Sequence, residues 1–300
     1  MLARLQLTLV LGLSVVVLLY LGAVWWQGWP VWAAAGVLIA PAGYAAVLAL
    51  EFGLMHRVNR DDLAPRASRR QVVRAWWSEC LAGPRVFGWR QPLLSARWRD
   101  RLSQEAGRPA LRGVLFVHGF VCNRGLWNPW LRALTRAKVP FLAVNLEPIF
   151  GSIEDYVPII ERAVARLEVA TGQSPIVVAH SMGGLALRRW WVEPGNAARV
   201  HRAITLGTPH HGTWLARYAV SANGRQMQRE GDWLRRLAER EPPDRAQRFV
   251  CFYSHCDNIV FPGSTAMLAG ADNRHLPAVA HVDMADQPEP RQELWRLLGL

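Results

Sequence analysis

IVVAHSMGG, residues 176–184, is an apolar, β-branched run that enters a small-x-Ser-x-Gly turn and then the helical pattern of Gly183–Trp191. Val and Ile suit a buried strand, and the change of period after His180 puts Ser181 at the strand–helix junction. A turn that sharp leaves no room for large side chains beside the serine, so small residues must flank it. Ala179 stands where glycine is commoner and is the smallest alternative. The Ser181 hydroxyl is then presented at a helix N-terminus, where the dipole favours developing negative charge. Ser181 is therefore the candidate nucleophile. The bland alternative is a serine that merely falls in a strand–helix connection.

On both sides of this turn, short β-rich runs alternate with helical patterns. Gly113–Val117, Pro140–Val144, Pro175–Ala179, Arg202–Leu206, Arg248–Tyr253 and Pro277–Ala280 read as strands. Leu126–Ala137, Ile153–Thr171, Gly183–Trp191 and Gln287–Leu298 read as helices. Such alternation predicts an α/β class with a mostly parallel sheet covered on both faces, and ligands bind beyond the carboxyl ends of its strands. The first of these strands runs into Phe116–Phe120, FVHGF. A serine that attacks an acyl carbon needs N–H donors for the oxyanion, and the candidates are the backbone groups of Phe120 and of Met182, the residue after the nucleophile. Gly119 lets that loop approach the substrate, and His118 is read as shaping the loop rather than carrying a proton.

VHGF at 117–120, AHSMGG at 179–184 and TLGTPHHGT at 205–213 together resemble the bacterial lipase and esterase branch of the α/β-hydrolases. The resemblance spans roughly residues 110–285. It implies the α/β-hydrolase fold, an ester preference, and a triad in the chain order Ser, acid, His. The acid should follow a late strand. Ser254–Val260, SHCDNIV, lies just beyond Arg248–Tyr253 and matches a Ser-x-x-Asp-x-x-Val segment common in the resembled family, so Asp257 is the expected acid. Asp232, Asp244 and Asp272 are its rivals; the first two precede the strand. His281, after the apolar run PAVA, is the expected base, with His275 as the alternative.

No metal or other cofactor is expected. His201, His210, His211, His255 and His275 lack the spacing of a metal-binding helix or a Cys/His site, and His210 and His211 are read as shaping the pocket mouth. Cys80, Cys122, Cys251 and Cys256 form no CxxC pair and are read as reduced thiols. Residues 213–241 are too long for a simple connection and are amphipathic, which predicts a cap over Ser181.

The N-terminal part has another character. Between Leu5 and Leu50 there is no Asp, Glu, Lys, Arg or His. A hydrocarbon core about 30 Å thick takes roughly 20 helical residues, so two crossings and a turn fill this run. Leu5–Trp26 and Val31–Leu54 are predicted as a transmembrane hairpin, broken at Gln27-Gly28-Trp29-Pro30. A signal peptide would have a shorter apolar core, and a soluble hairpin would carry polar positions on its outer face. The formal net charge is +12, and residues 56–101 hold eleven Arg against four acids. Basic residues beside a transmembrane helix mark the cytoplasmic side. A multi-pass protein of a bacterial inner membrane with a cytoplasmic catalytic domain is the expectation. Arg69–Leu81, RRQVVRAWWSECL, has apolar residues at helical spacing and suits a helix in the headgroup plane or one packed on the catalytic domain. No aromatic-basic ribbon or zinc-finger spacing supports nucleic acid as a partner.

The expected organisation is a hairpin at 1–55, a basic juxtamembrane linker at 56–109 and a catalytic domain at 110–300. The expected partners are an apolar ester substrate and membrane lipid. The same triad would also serve an acyltransferase or a thioesterase, because only the acceptor or the acyl donor differs. A non-catalytic membrane-bound interaction protein on the same fold is the alternative of another class.

Overall fold

The computed structural model describes residues 1–103, 111–242 and 244–300, with backbone only at Pro30, Val31, Ala33 and Ala34. The expected junction between linker and catalytic domain at 109–110 lies outside the described residues.

Among the described residues six parallel strands form one sheet: β1 (Val114–Val117), β2 (Phe141–Ala143), β3 (Ile176–His180), β4 (Arg202–Leu206), β5 (Phe249–Tyr253) and β6 (Asp272–His275). Their order is β2-β1-β3-β4-β5-β6. The chain thus leaves β1 toward one edge and β3 toward the other, and the loops after these two strands diverge. This is a topological switch point, the place where open α/β sheets bind ligands.

Helices occupy both faces. The N-terminal helices α1 (Leu2–Trp26), α2 (Pro30–Val58) and α3 (Arg69–Gly83) run into a π-helical turn, Pro84–Arg90, and the short α4 (Gln91–Leu94). Then come α5 (Asn128–Arg136), α6 (Val157–Thr171), α7 (Met182–Trp191), α8 (Ala222–Gln226), α9 (Asp232–Arg240) and α10 (Pro288–Leu298). Leu115, Val117, Val177, Ala179 and Ala203 pack with α6 and α7 on one face. Val114, Phe116, Ile176, Val178 and Ile204 pack with α5 and α10 on the other. The central strands are buried on both faces, which is why they read as unbroken apolar runs rather than alternating ones.

The strand expected at Pro277–Ala280 is instead Asp272–His275, parallel to β5. Ala278 adopts φ 57°, which no strand accommodates. The observed edge strand, DNRH, is polar and half exposed, so it lacks the apolar signature that marks the inner strands. The segment before β1 also departs from a linker. Ala82 and Val86 lie in the core shared with α5 and α10, and Arg101 forms an antiparallel bridge with Phe141 at the free edge of β2.

Both N-terminal helices are long and apolar enough to cross a membrane, and most of their side chains face outward. Each is longer at its base than expected. Leu2 and Gln6 are buried on the catalytic domain, where Gln6 and Gln91 are hydrogen-bonded at 2.8 Å. Phe52 and Met55 pack with Cys256, Phe261 and Ala280.

Candidate active site

Ser181 caps α7 at φ 54°, ψ −130°, a conformation that costs a non-glycine residue about 1–3 kcal/mol. The cost is borne because the turn is clamped: Ser181 N–H donates to Leu206 O at 2.8 Å, and Gly184 N–H donates to Ser181 O at 3.0 Å. Two glycines let the β1 loop lie on this turn. A Cβ at Gly119 would stand 2.7 Å from Ser181 Cβ, and one at Gly183 would stand 2.6 Å from Val117 O. The N–H groups of Phe120 and Met182 are thereby brought to the same end of the sheet as Ser181, and neither donates to an acceptor among the described residues. His118 is a structural residue of that loop. Its Nδ1–H donates to Gly119 O at 2.9 Å and its Nε2 accepts Leu146 N–H at 3.0 Å. Burial pushes it down to about 4, so it stays neutral.

Asp257 and His281 meet beyond the carboxyl ends of β5 and β6. His281 Nδ1 donates to Asp257 Oδ2 at 2.9 Å. The other carboxylate oxygen, Oδ1, accepts the N–H groups of Ile259 at 2.9 Å and Val260 at 2.7 Å. Both carboxylate oxygens are thus committed, and the side chain has one orientation. His281 reaches the nucleophile turn through His180: the two rings lie 4.6 Å apart, and His180 Nε2 donates to His281 O at 3.0 Å. Burial drives the His281 imidazole toward neutrality, but Asp257, Glu79 and Glu51 outweigh it and hold its pKa above the ordinary value. The rival residues go elsewhere. His275 lies on β6 against Tyr253 and His255. Asp272 pairs with Arg274 at 2.6 Å, Asp232 pairs with Arg235 at the surface, and Asp244 precedes a short 3-10 turn.

Residues 213–241 form a 3-10 turn, Trp214–Tyr218, followed by α8 and α9. Their end is fastened to α7 by a buried bidentate pair, Arg188 with Glu241 at 2.7 and 2.9 Å. His210 is buried beneath this pair, with Arg188 Nη1 donating to its carbonyl at 2.6 Å, so only His211 is exposed near the surface. With Phe120, Phe150 and Ile259, this segment walls an apolar groove of about 630 Å³ beside the site. Among the described residues no cluster of three or more His, Cys, Asp or Glu is arranged to hold a metal ion. The four cysteines are free.

Sequence reasoning passed over three polar residues of the site. Asn258 Oδ1 accepts His281 N–H at 3.3 Å, while its amide donates to Glu51 Oε2 at 2.8 Å. Glu79 accepts the N–H groups of Val282 and Asp283 at 3.0 and 3.1 Å. A sequence signal for Glu79 existed: it shares the small-residue face of its helix with Ala75 and Ala82, where a carboxylate is out of place unless it has a partner.

A parallel sheet with a strained serine turn at its switch point is the arrangement of an α/β hydrolase. The sequence pattern of the alpha/beta hydrolase family matches residues 114–298, and the chain belongs to that family. No curated protein matches it closely enough to add a second line of relationship. Among solved structures, the mature form of a Bacillus licheniformis lipase is similar at a TM-score of 0.57 and 18% identity, over 65% of this chain and 94% of that one. Aspergillus fumigatus lipase B is similar at a TM-score of 0.52 and 19% identity, over 61% of this chain and 51% of that one. At these identities the likeness is one of fold.

Proposed function

We propose that this protein is a membrane-anchored serine hydrolase that cleaves carboxylic esters of apolar acyl groups. The observation that carries the proposal is the 2.9 Å contact between His281 Nδ1 and a fully committed Asp257, beside a serine held at positive φ. In this reading Ser181 attacks the ester carbonyl and His281 Nε2 takes its proton. The oxyanion accepts from the N–H groups of Phe120 and Met182. The protonated imidazole then returns the proton to the leaving alcohol, and water repeats the sequence on the acyl-enzyme.

The groove supports an apolar acyl group. Phe120, Leu215, Ala216, Met227 and Ile259 line it, and Phe150, Tyr218 and Val220 stand exposed around it. Each added methylene gains about 0.8 kcal/mol when buried, so a chain that fills the groove outcompetes acetate. With detergent-solubilised protein, kcat/KM for nitrophenyl esters is expected to rise by roughly tenfold or more from acetyl to medium-chain acyl groups. A maximum at acetyl, or activity confined to amides, contradicts this substrate class.

Dimensions support membrane anchoring. Once Gln6 is docked on the catalytic domain, residues 7–26 of α1 remain, about 30 Å of helix at 1.5 Å per residue, the thickness of a hydrocarbon core. Trp25, Trp26, Trp29 and Trp32 crowd the tip of the hairpin as an interfacial belt would. At the base, α3 has two faces. Trp76 turns inward and donates to Ala45 O at 2.9 Å, whereas Val73, Trp77 and Leu81 form an exposed stripe suited to the headgroup region. Arg57, Arg60, Arg66, Arg69 and Arg70 follow the second helix, so the catalytic domain lies on the cytoplasmic side. Alkaline phosphatase fused after Leu300 is expected to be inactive and a fluorescent protein fused there to be bright. An active phosphatase overturns the orientation, and release of the full-length protein by carbonate overturns the anchor.

A further inference from the structure

Glu79 lies on α3, outside the residues that the family pattern covers, and it is 2% exposed. A carboxylate buried this deeply is costly unless charge or hydrogen bonds compensate it. No Arg or Lys lies within ion-pair distance of it among the described residues. Its two oxygens take the N–H groups of Val282 and Asp283 instead, at 3.0 and 3.1 Å. Those are the two residues immediately after His281. On the other side of His281, Asn258 accepts the histidine's own N–H and is itself held by Glu51 of α2. The N-terminal helices therefore grip the histidine segment before and after the imidazole.

We propose that Glu79 is a positioning residue for the reaction: it fixes the 281–283 loop through two backbone hydrogen bonds and supplies a second negative charge that favours the imidazolium formed when Ser181 is deprotonated. The proposal rests on the reading of His281 as the general base. An acceptor for two amides need not be charged. A buried, unpaired carboxylate directed at this loop is explained when the charge itself has a use, and the nearest group that becomes positive during acyl transfer is His281. It follows that the helices preceding the hydrolase pattern complete the active site as well as carrying it.

Several ionisable groups face this pair. Asp257 lies across the histidine, Glu51 and Tyr44 approach from α2, Cys80 adjoins on α3, Asp283 follows in the loop within the field of Asp286, Arg85 and Arg74, and His180 lies tilted against His281. Burial pushes Glu79 up to about 7 against the pull of the two N–H donors and of His281. A neighbouring carboxylate raises the pKa of His281, and the base acts when neutral. Removing that charge lowers the His281 pKa and moves the acid limb of the kcat/KM profile to lower pH, while the rate maximum falls.

The test uses the full-length protein in detergent, a soluble nitrophenyl ester, and fluorophosphonate titration to count active sites. Glu79→Gln is expected to lower kcat about tenfold and Glu79→Ala about a hundredfold, the scale of misplacing a catalytic group by about an ångström. KM should stay unchanged, and the acid limb should shift down in both variants. A fall in kcat with an unmoved acid limb assigns Glu79 to structure alone and overturns the proposal, as does a Glu79→Gln protein that cannot be isolated folded. Ser181→Ala, run in parallel, separates the two readings. If it still labels, the triad assignment fails. If it is silent while Glu79→Gln keeps the wild-type rate and profile, only the role of Glu79 fails.

Discussion

Ser181→Ala is expected to reduce ester hydrolysis by a factor on the order of 10⁶ and to abolish fluorophosphonate labelling, the magnitude found when a triad nucleophile is removed. The size follows from the division of labour in the site. Without the oxygen at residue 181 no acyl-enzyme forms, and only the donors of the oxyanion site and substrate binding remain. The fold should be untouched. The turn at residue 181 is held by the backbone bonds to Leu206 O and from Gly184 N–H, neither of which involves the hydroxyl. A melting temperature at or slightly above that of the wild type is the expected companion result, because active-site side chains are kept for activity rather than stability. Covalent labelling that persists in this variant would place the nucleophile elsewhere.

Asp257→Asn should cost about 10⁴ in kcat through the tautomer of His281. Asp257 Oδ1 faces two N–H donors, from Ile259 and Val260, and these can be met only by an oxygen. The asparagine must therefore turn its NH₂ toward His281 Nδ1. That nitrogen then becomes the acceptor, the proton moves to Nε2, and the imidazole can no longer take a proton from Ser181. The folded structure is preserved because the loop bonds of Oδ1 survive. Loss of the Asp257 charge also removes what most raises the His281 pKa, so the residual activity should show its acid limb at lower pH than the wild type. Near-normal turnover in Asp257→Asn would remove Asp257 from the mechanism.

The placement of the site joins these predictions to the N-terminal helices. Gln6 and Asn123 are hydrogen-bonded at 3.3 Å beside the β1 loop, Glu51 holds Asn258 beside the acid, and Glu79 holds the loop after the histidine. The base of the hairpin thus meets loops at the carboxyl end of the sheet, the end where Phe120 and Ile259 line the apolar groove.

The nucleophile turn was legible because its requirements are local. A buried parallel strand must be an unbroken apolar run, and a serine at positive φ beside a close-packed loop must have small neighbours. IVVAHSMGG and the Gly119 of FVHGF state both in a few residues. Asp257 was expected from the resemblance of SHCDNIV to a family segment and His281 from its place after PAVA; the two side chains do meet, although the strand before His281 lies earlier, at Asp272–His275. What lay beyond the sequence was everything set by contacts between distant segments. The edge strand Asp272–His275 has one neighbour and half-exposed side chains, so no apolar pattern marks it, and the apolar PAVA nearby drew the assignment instead. Arg69–Leu81 carries a stripe that suits a membrane surface or a protein core equally. Only packing divides it into Val73, Trp77 and Leu81 outside and Ala75 and Glu79 within. The partners of Glu79 and Glu51 lie about two hundred residues away along the chain. Hydrogen bonds of that span leave no spacing to read, because they arise when the sheet brings its late loops to the end where the first helices already stand.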